Sequence, residues 1–215
     1  MKNLFFTLLL MVLVNLVADN TKPVNKEYPF NYGRMEDTVY VNPFFGLKIP
    51  IPSSWTVQNK SQIEYIFSKA KDIIEFKDEA SNKILENTDV NSMALLVVYK
   101  YETGAPVTFN PSIAILAENV LMSPGVKKGA DYLFHISNNL KNINLNYECN
   151  PTRSDIMKID QFNFADLNCT LREGVVKQRY ISTVIKRYAF SFIISYAEDE
   201  EEEELLSIIK LAEFK

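Results

Sequence analysis

The chain has 215 residues, of which 47% are hydrophobic, 12% aromatic and 23% charged, and its formal net charge is −4. Mean hydropathy is −0.09. These values fit one globular domain or at most two small ones; they exclude a disordered chain and a polytopic membrane protein, and the acidic balance does not lead one to expect a phosphate-binding face.

Residues 1–18 read MKNLFFTLLLMVLVNLVA. Lys2 gives a positive start, and Leu4 to Val14 is apolar except for Thr7. As a helix such a run is roughly 17 Å long, against about 30 Å of bilayer hydrocarbon. It is too short to span and fits the core of a signal peptide, with cleavage expected after Ala18. Leu16 stands where a small residue is usual, and the alternative is an uncleaved interfacial anchor or a buried first helix. No Cys follows the run, so a lipid-bearing N-terminal Cys is excluded. Loss of Lys2 makes the mature chain one unit more negative. Residues 19–37, with Pro23, Pro29 and Gly33, read as a linker or N-terminal arm. Tyr28, Phe30 and Tyr32 alternate there, as an edge strand would.

Residues 38–215 read as a single domain. TVYVNPFFGLKIPI, from Thr38 to Ile51, predicts one or two strands bent at Pro43 and Gly46. Ser61 and Glu64 form a capping box that predicts a helix from Ser61. Ile63, Ile66, Phe67, Ala70, Ile73 and Ile74 follow its 3.6-residue period. Residues 77–91 are polar and predict a helical extension or a long loop. Met93 to Tyr99 and Ile113 to Val120 predict buried strands. A second helix is predicted from about Lys128 to Ile143, burying Tyr132, Leu133, Ile136, Leu140 and Ile143. Strands follow at about 144–149, 155–159, 162–171 and 174–185. Tyr188 to Tyr196 alternates, with Tyr188, Phe190, Phe192, Ile194 and Tyr196 on one face. A last helix is predicted from near Asp199, turning Leu205, Leu206, Ile208 and Ile209 inward. Runs of hairpin-linked strands with segregated helices point to an α+β fold on an antiparallel sheet.

Cys149 and Cys169 are the only cysteines. In an exported chain they meet an oxidising compartment and have one intramolecular pairing. Closing a loop of about 20 residues stabilises by roughly 3 kcal/mol on the chain-entropy account. The alternative is two separate buried thiols.

Four segments taken in order carry a family resemblance. FFGLKIPIPSSW resembles an opening strand followed by a Pro-containing turn and a Trp. NPSIAILAENV resembles a middle strand, and the helix from Lys128 follows it. KIDQFNFADLNCTL resembles the next hairpin, and QRYISTVIKRYAFSFIISYAEDEEEEELLSIIKLAEF the closing hairpin and helix. Together they resemble the Mog/PsbP-like superfamily over residues 38–215. The resemblance implies an αβα sandwich, in which helices flank an antiparallel β-sheet. It implies no reaction, because members range from photosystem-associated luminal proteins to a Ran-binding nuclear factor and DcrB-like envelope lipoproteins. Two features depart from the family. Lys186-Arg187 lacks the expected turn glycine, so a different turn type is expected there. The helix near 61–76 and its polar tail look like an insertion.

Motifs of known chemistry are sparse. His135 is the only histidine. On its predicted helix it lies away from the apolar face, as an exposed residue or as a lone acid–base group oriented by Asp131. No G-x-S-x-G, C-x-x-C, H-x-x-x-H or phosphate-cradling glycine pattern occurs. Glu198 to Glu204 is seven consecutive acids. They read as the first turn of a helix complementing its dipole, with calcium binding as the alternative. Lys177, Arg179, Lys186 and Arg187 read as the solvated face of a hairpin whose other side is buried, with binding of an anion or a partner as the alternative. Asn59-Lys60-Ser61 and Asn168-Cys169-Thr170 match glycosylation acceptors. The expectation is therefore a periplasmic or extracellular protein that is not an enzyme, a binding module of the cell envelope. It has a disulfide between Cys149 and Cys169 and no assigned catalytic, cofactor or metal residue. Its partner is a protein or envelope component, not nucleic acid, and no integral membrane span remains after processing. Two alternatives stand: a metal- or small-ligand-binding protein, and an enzyme with an unrecognised carboxylate site.

Overall fold

The computed structural model describes residues 31–71, 75–79, 92–121, 123–145, 147–150, 153–171 and 176–215. The expected signal peptide, Ile73, Ile74 and most of 77–91 lie outside the described residues. No helix among those described is long and apolar enough to cross a membrane.

A four-stranded sheet has the order β1 (Arg34–Glu36), β2 (Val39–Asn42), β3 (Leu47–Pro50) and β12 (Glu213–Phe214). The larger sheet runs β4 (Thr56–Val57), β5 (Ser92–Tyr99), β6 (Ser112–Asn119), β11 (Tyr188–Tyr196), β10 (Val176–Ile185), β9 (Phe162–Leu171) and β7 (Tyr147–Cys149). β8 (Arg153–Ile159) shares the outer edge of β9 with β7: β7 pairs with Cys169–Leu171, and β8 with residues 162–166. Every pairing between these strands is antiparallel. The helices are α1 (Lys60–Lys71), α2 (Gly129–Asn142) and α3 (Asp199–Ile209). The fold is thus α+β on antiparallel sheets.

Both faces of the large sheet are buried. One packs on Ile66 and Ala70 of α1 and on Tyr132, Leu133, Ile136 and Leu140 of α2. The other packs on Tyr40, Leu47 and Ile49 of the small sheet and on Leu205, Ile208 and Ile209 of α3. Strand β11 shows why. Tyr188, Phe190, Phe192, Ile194 and Tyr196 face the small sheet, while Ala189 and Ile193 face α2. Phe190 lies at the centre of an aromatic set with Phe45, Phe164, Phe192 and Phe214, at centroid separations of 5.2–6.5 Å. Such edge-on and tilted contacts add modestly to the burial of ring surface.

Two glycines fix how the layers meet. A Cβ on Gly129 would lie 1.8 Å from the Ser182 carbonyl oxygen, so only glycine lets α2 begin against β10. A Cβ on Gly46, at φ +69°, would lie 1.9 Å from the Lys215 carbonyl oxygen, so the β2–β3 turn and the C-terminus share that spot.

Three expectations are corrected. Helix α1 begins at Lys60, capped by Asn59 rather than by a Ser61–Glu64 box. The Gln62 N–H donates to Asn59 Oδ1 at 3.0 Å, and the Asn59 N–H to Gln62 Oε1 at 2.8 Å. Asn59 offers the same reciprocal cap two residues earlier, and that leaves Glu64 to pair with Lys60. The second correction is the β10–β11 turn. Ile185 pairs with Tyr188, so Lys186 and Arg187 are a two-residue turn, and their φ values are +50° and +66°. That is the glycine-type turn, made without glycine. Contacts hold it: Lys186 Nζ donates to the Phe44 carbonyl at 2.6 Å, and the Val120 N–H donates to the Arg187 carbonyl at 3.0 Å.

The third correction concerns Lys177 and Arg179, which are not a solvated hairpin face. They point toward α3. Lys177 bonds Asp199 at 2.6 Å, and Arg179 bridges Asp166 at 2.5 Å and Glu202 at 3.0 Å. Lys100 adds a bond to Glu204 at 2.6 Å.

Candidate functional site

The cysteines come together. Cys149 on β7 and Cys169 on β9 are cross-strand partners, with Cα atoms 4.1 Å apart and the sulfurs bonded. The bond ties an edge strand of three residues to its neighbour β9.

His135 is exposed on α2, edge-on to the Phe134 ring at 5.7 Å. Asp131, expected as its orienter, caps α2 instead: its Oδ2 accepts the Lys127 N–H at 3.0 Å and the Lys128 N–H at 3.1 Å. The acidic run is shared among several tasks. Glu201 Oε2 accepts the Ala197 and Glu198 N–H groups at the start of α3. Asp199 and Glu202 pair with Lys177 and Arg179 of β10, and Glu204 with Lys100, just past the end of β5. Among the described residues, no three His, Cys, Asp or Glu side chains are grouped to hold a metal ion. For Arg179, burial pulls the guanidinium down, and Asp166 and Glu202 more than offset it. Asn59 and Asn168, of the two acceptor sequons, cap α1 and sit within β9 respectively.

The group that sequence reasoning missed is Glu118. It lies near the end of β6, wholly buried, on the face that packs against α2. The Tyr132 hydroxyl donates to its Oε2 at 2.8 Å, and its Oε1 has no hydrogen-bond partner among the described residues. Desolvation pushes the carboxyl up to about 8, against a small opposing effect of the Tyr132 bond. Tyr132, also wholly buried, is raised well above the usual phenol range by desolvation and then by Glu118. Tyr180 on β10 is raised well above the usual phenol range by desolvation and then by Tyr147, and its hydroxyl has no hydrogen-bond partner among the described residues.

A polar row crosses the same face. Tyr99, Ser112, Ser195, Gln178, Cys169 and Cys149 are successive cross-strand neighbours from β5 to β7. Gln178 Nε2 donates to Ser195 Oγ at 2.9 Å. Tyr99 OH, Ser112 Oγ and Gln178 Oε1 have no hydrogen-bond partner among the described residues. One signal for this face was readable. Ala114, Leu116 and Glu118 share the strand's two-residue period, so the acid had to point where its apolar neighbours point.

A carboxyl held near neutrality is suited to proton transfer, yet here it is wholly covered, and a substrate would have to displace α2 to touch it. Protonated, Glu118 adds a polar contact that fixes the register of α2 on the sheet.

No family model and no curated protein matches the chain. Among solved structures, the crystal structure of LpqN, described as involved in cell envelope biogenesis of Mycobacterium tuberculosis, is similar at a TM-score of 0.37 and 13% sequence identity, over 77% of this chain and 78% of that one.

Proposed function

We propose that this chain is an exported, non-catalytic protein of the cell envelope, a binding module on the Mog/PsbP-like αβα scaffold. The observation that carries this reading is the Cys149–Cys169 bond. Disulfides persist in exported proteins and are rare where thiols are kept reduced. The apolar run from Leu4 to Val14 supports the same compartment. The scaffold reading is supported by α1 and α2 on one face of the large sheet and α3 on the other. The non-catalytic reading draws on where the charges go: Arg179, Lys177 and Lys100 pair with α3, and Asp131 and Glu201 serve as helix caps.

Cell fractionation followed by intact mass, with and without reductant, tests the reading. The expected result is envelope location, loss of residues 1–18 and a gain of two hydrogens on reduction. A full-length cytosolic chain with two titratable thiols overturns it. The enzyme alternative would rest on Glu118, the acid with the raised pKa. Turnover abolished by Glu118→Gln in a variant of unchanged fold would establish it instead.

A further inference from the structure

We propose that one end of the large sheet, formed by the β10–β11 turn and the loop before α2, docks on an anionic phospholipid surface. This rests on the envelope reading and names the partner's chemistry.

Four exposed cations stand on these two segments. Lys186 and Arg187 form the turn, and Lys127 and Lys128 close the loop. The loop is fastened at its start by the Val120 N–H on the Arg187 carbonyl, at 3.0 Å. At its far end Gly129 sits against the Ser182–Thr183 backbone of β10. The two basic pairs therefore lie on one end of the molecule. Leu121, next in the chain after Val120, is 45% exposed. Asp131, the acid nearest the lysines, is turned to the Lys127 and Lys128 backbone, and Asp160, on the neighbouring turn, accepts the Phe214 N–H.

The turn is strained where it is basic. Asn-Gly makes this turn without steric cost, whereas Lys and Arg at positive φ carry one. Lys186 has a local reason, its bond to the Phe44 carbonyl. The Arg187 side chain is exposed and, among the described residues, has no hydrogen bond or ion pair, while its backbone carbonyl accepts the Val120 N–H. Strain retained without a folded-state contact points to use outside the molecule.

The charge layout selects the partner. Lys177 pairs with Tyr196 at the far end of the hairpin, about 27 Å from the turn at strand spacing. The acids of α3 start there, bonded to Lys177 and Arg179. An anionic surface thus meets the basic end with the acidic end turned away. Turn and loop tips project from the sheet, and cations together with an exposed leucine suit a flat interface better than a groove binder.

Sedimentation of the exported protein with vesicles tests this. Neutral vesicles are phosphatidylcholine, and anionic ones add phosphatidylglycerol at roughly one part in four. The readout is the ratio of anionic to neutral binding for the chain without residues 1–18. The expected ratio is well above one and falls with added salt. Each basic residue near the surface is worth about fivefold, so Lys127→Gln, Lys128→Gln and Arg187→Gly together lower it about a hundredfold. Arg187→Gly alone lowers it about fivefold while raising the melting temperature, because glycine relieves the turn; lost binding is then not lost folding. A ratio near one, an unchanged ratio in the triple variant, or tighter and variant-sensitive binding to polyglutamate overturns the proposal. Failure of the envelope reading appears separately, in fractionation.

Discussion

The Tyr132 hydroxyl on α2 donates to the Glu118 carboxyl on β6 at 2.8 Å, and neither side chain is open to solvent. Among the described residues, an ionised carboxylate there has one hydrogen bond, and its second oxygen has no partner. Protonation is therefore favoured, and the carboxyl rises to about 8 in the folded state. Unfolded, it returns to the ordinary range near 4.3. Between those values the folded chain holds a proton that the unfolded chain has released. The stabilisation from this group is fully present below the unfolded value and is lost as pH rises through the folded one. At its steepest the slope is about −1.4 kcal/mol per pH unit. Glu118→Gln keeps a partner for Tyr132 and removes the titration. Urea unfolding at several pH values from 5 to 8 should show stability falling in the parent and a flatter profile in the variant, with the variant the more stable at the alkaline end.

Gly129 is the contact point between α2 and β10, because a Cβ there meets the Ser182 carbonyl at 1.8 Å. Backbone cannot yield as a side-chain tip can, so Gly129→Ala should push α2 off the sheet and cost about 2–3 kcal/mol. It should also expose Glu118 and flatten the same pH profile. Gly125 has open space around it. Gly125→Ala should stay within about 0.5 kcal/mol of the parent. Denaturant midpoints of the two variants check the contrast.

The sequence made some of this fold readable and hid other parts for physical reasons. Tyr132, Leu133, Ile136, Leu140 and Ile143 were readable because one apolar stripe on a helix has a fixed period. On β11 only the aromatic half was readable. Ala189, Ser191, Ile193 and Ser195 are buried as well, and small or hydroxylated residues read as solvent-facing although that face is covered. Asn59 was passed over because Ser61 and Glu64 fit the same capping rule two residues later. The pairing of Cys149 with Cys169 was readable, since two cysteines leave one partner. The ion pairs of Arg179 were not, for Asp166 and Glu202 are brought to it by strand register and by the return of α3, neither of which leaves a local pattern. Glu118 looked like the polar end of a strand, and only the depth of the layer above it reveals the cost of burying it.

Arg179 has two acidic partners of unequal worth to stability. Asp166 is mostly buried, while Glu202 is more open. Arg179→Ala leaves a buried carboxylate without its cation and should cost about 3 kcal/mol. Lys177→Ala removes a bond to Asp199, which is largely exposed, and should cost under about 0.5 kcal/mol. Adding Asp166→Asn to Arg179→Ala should recover part of the loss, because no charge is then stranded. A double-mutant cycle on chemical unfolding measures that coupling, and additive losses would show that the pair acts only through packing.

The disulfide makes a prediction about both stability and order of unfolding. Strand β7 has three residues, and its pairing with β9 ends at the Cys149–Cys169 step. So short an edge strand holds few contacts of its own, and the covalent link limits how far it strays when it opens. Cys149→Ala with Cys169→Ala should cost about 3 kcal/mol, chiefly by freeing the unfolded chain. Locally, β7 amides should lose hydrogen-exchange protection before the amides of β10 and β11, which stay paired on both sides. Reductant should lower the denaturation midpoint of the parent and leave the double variant unmoved. Equal sensitivity in both proteins would mean that the bond does not form in the folded chain.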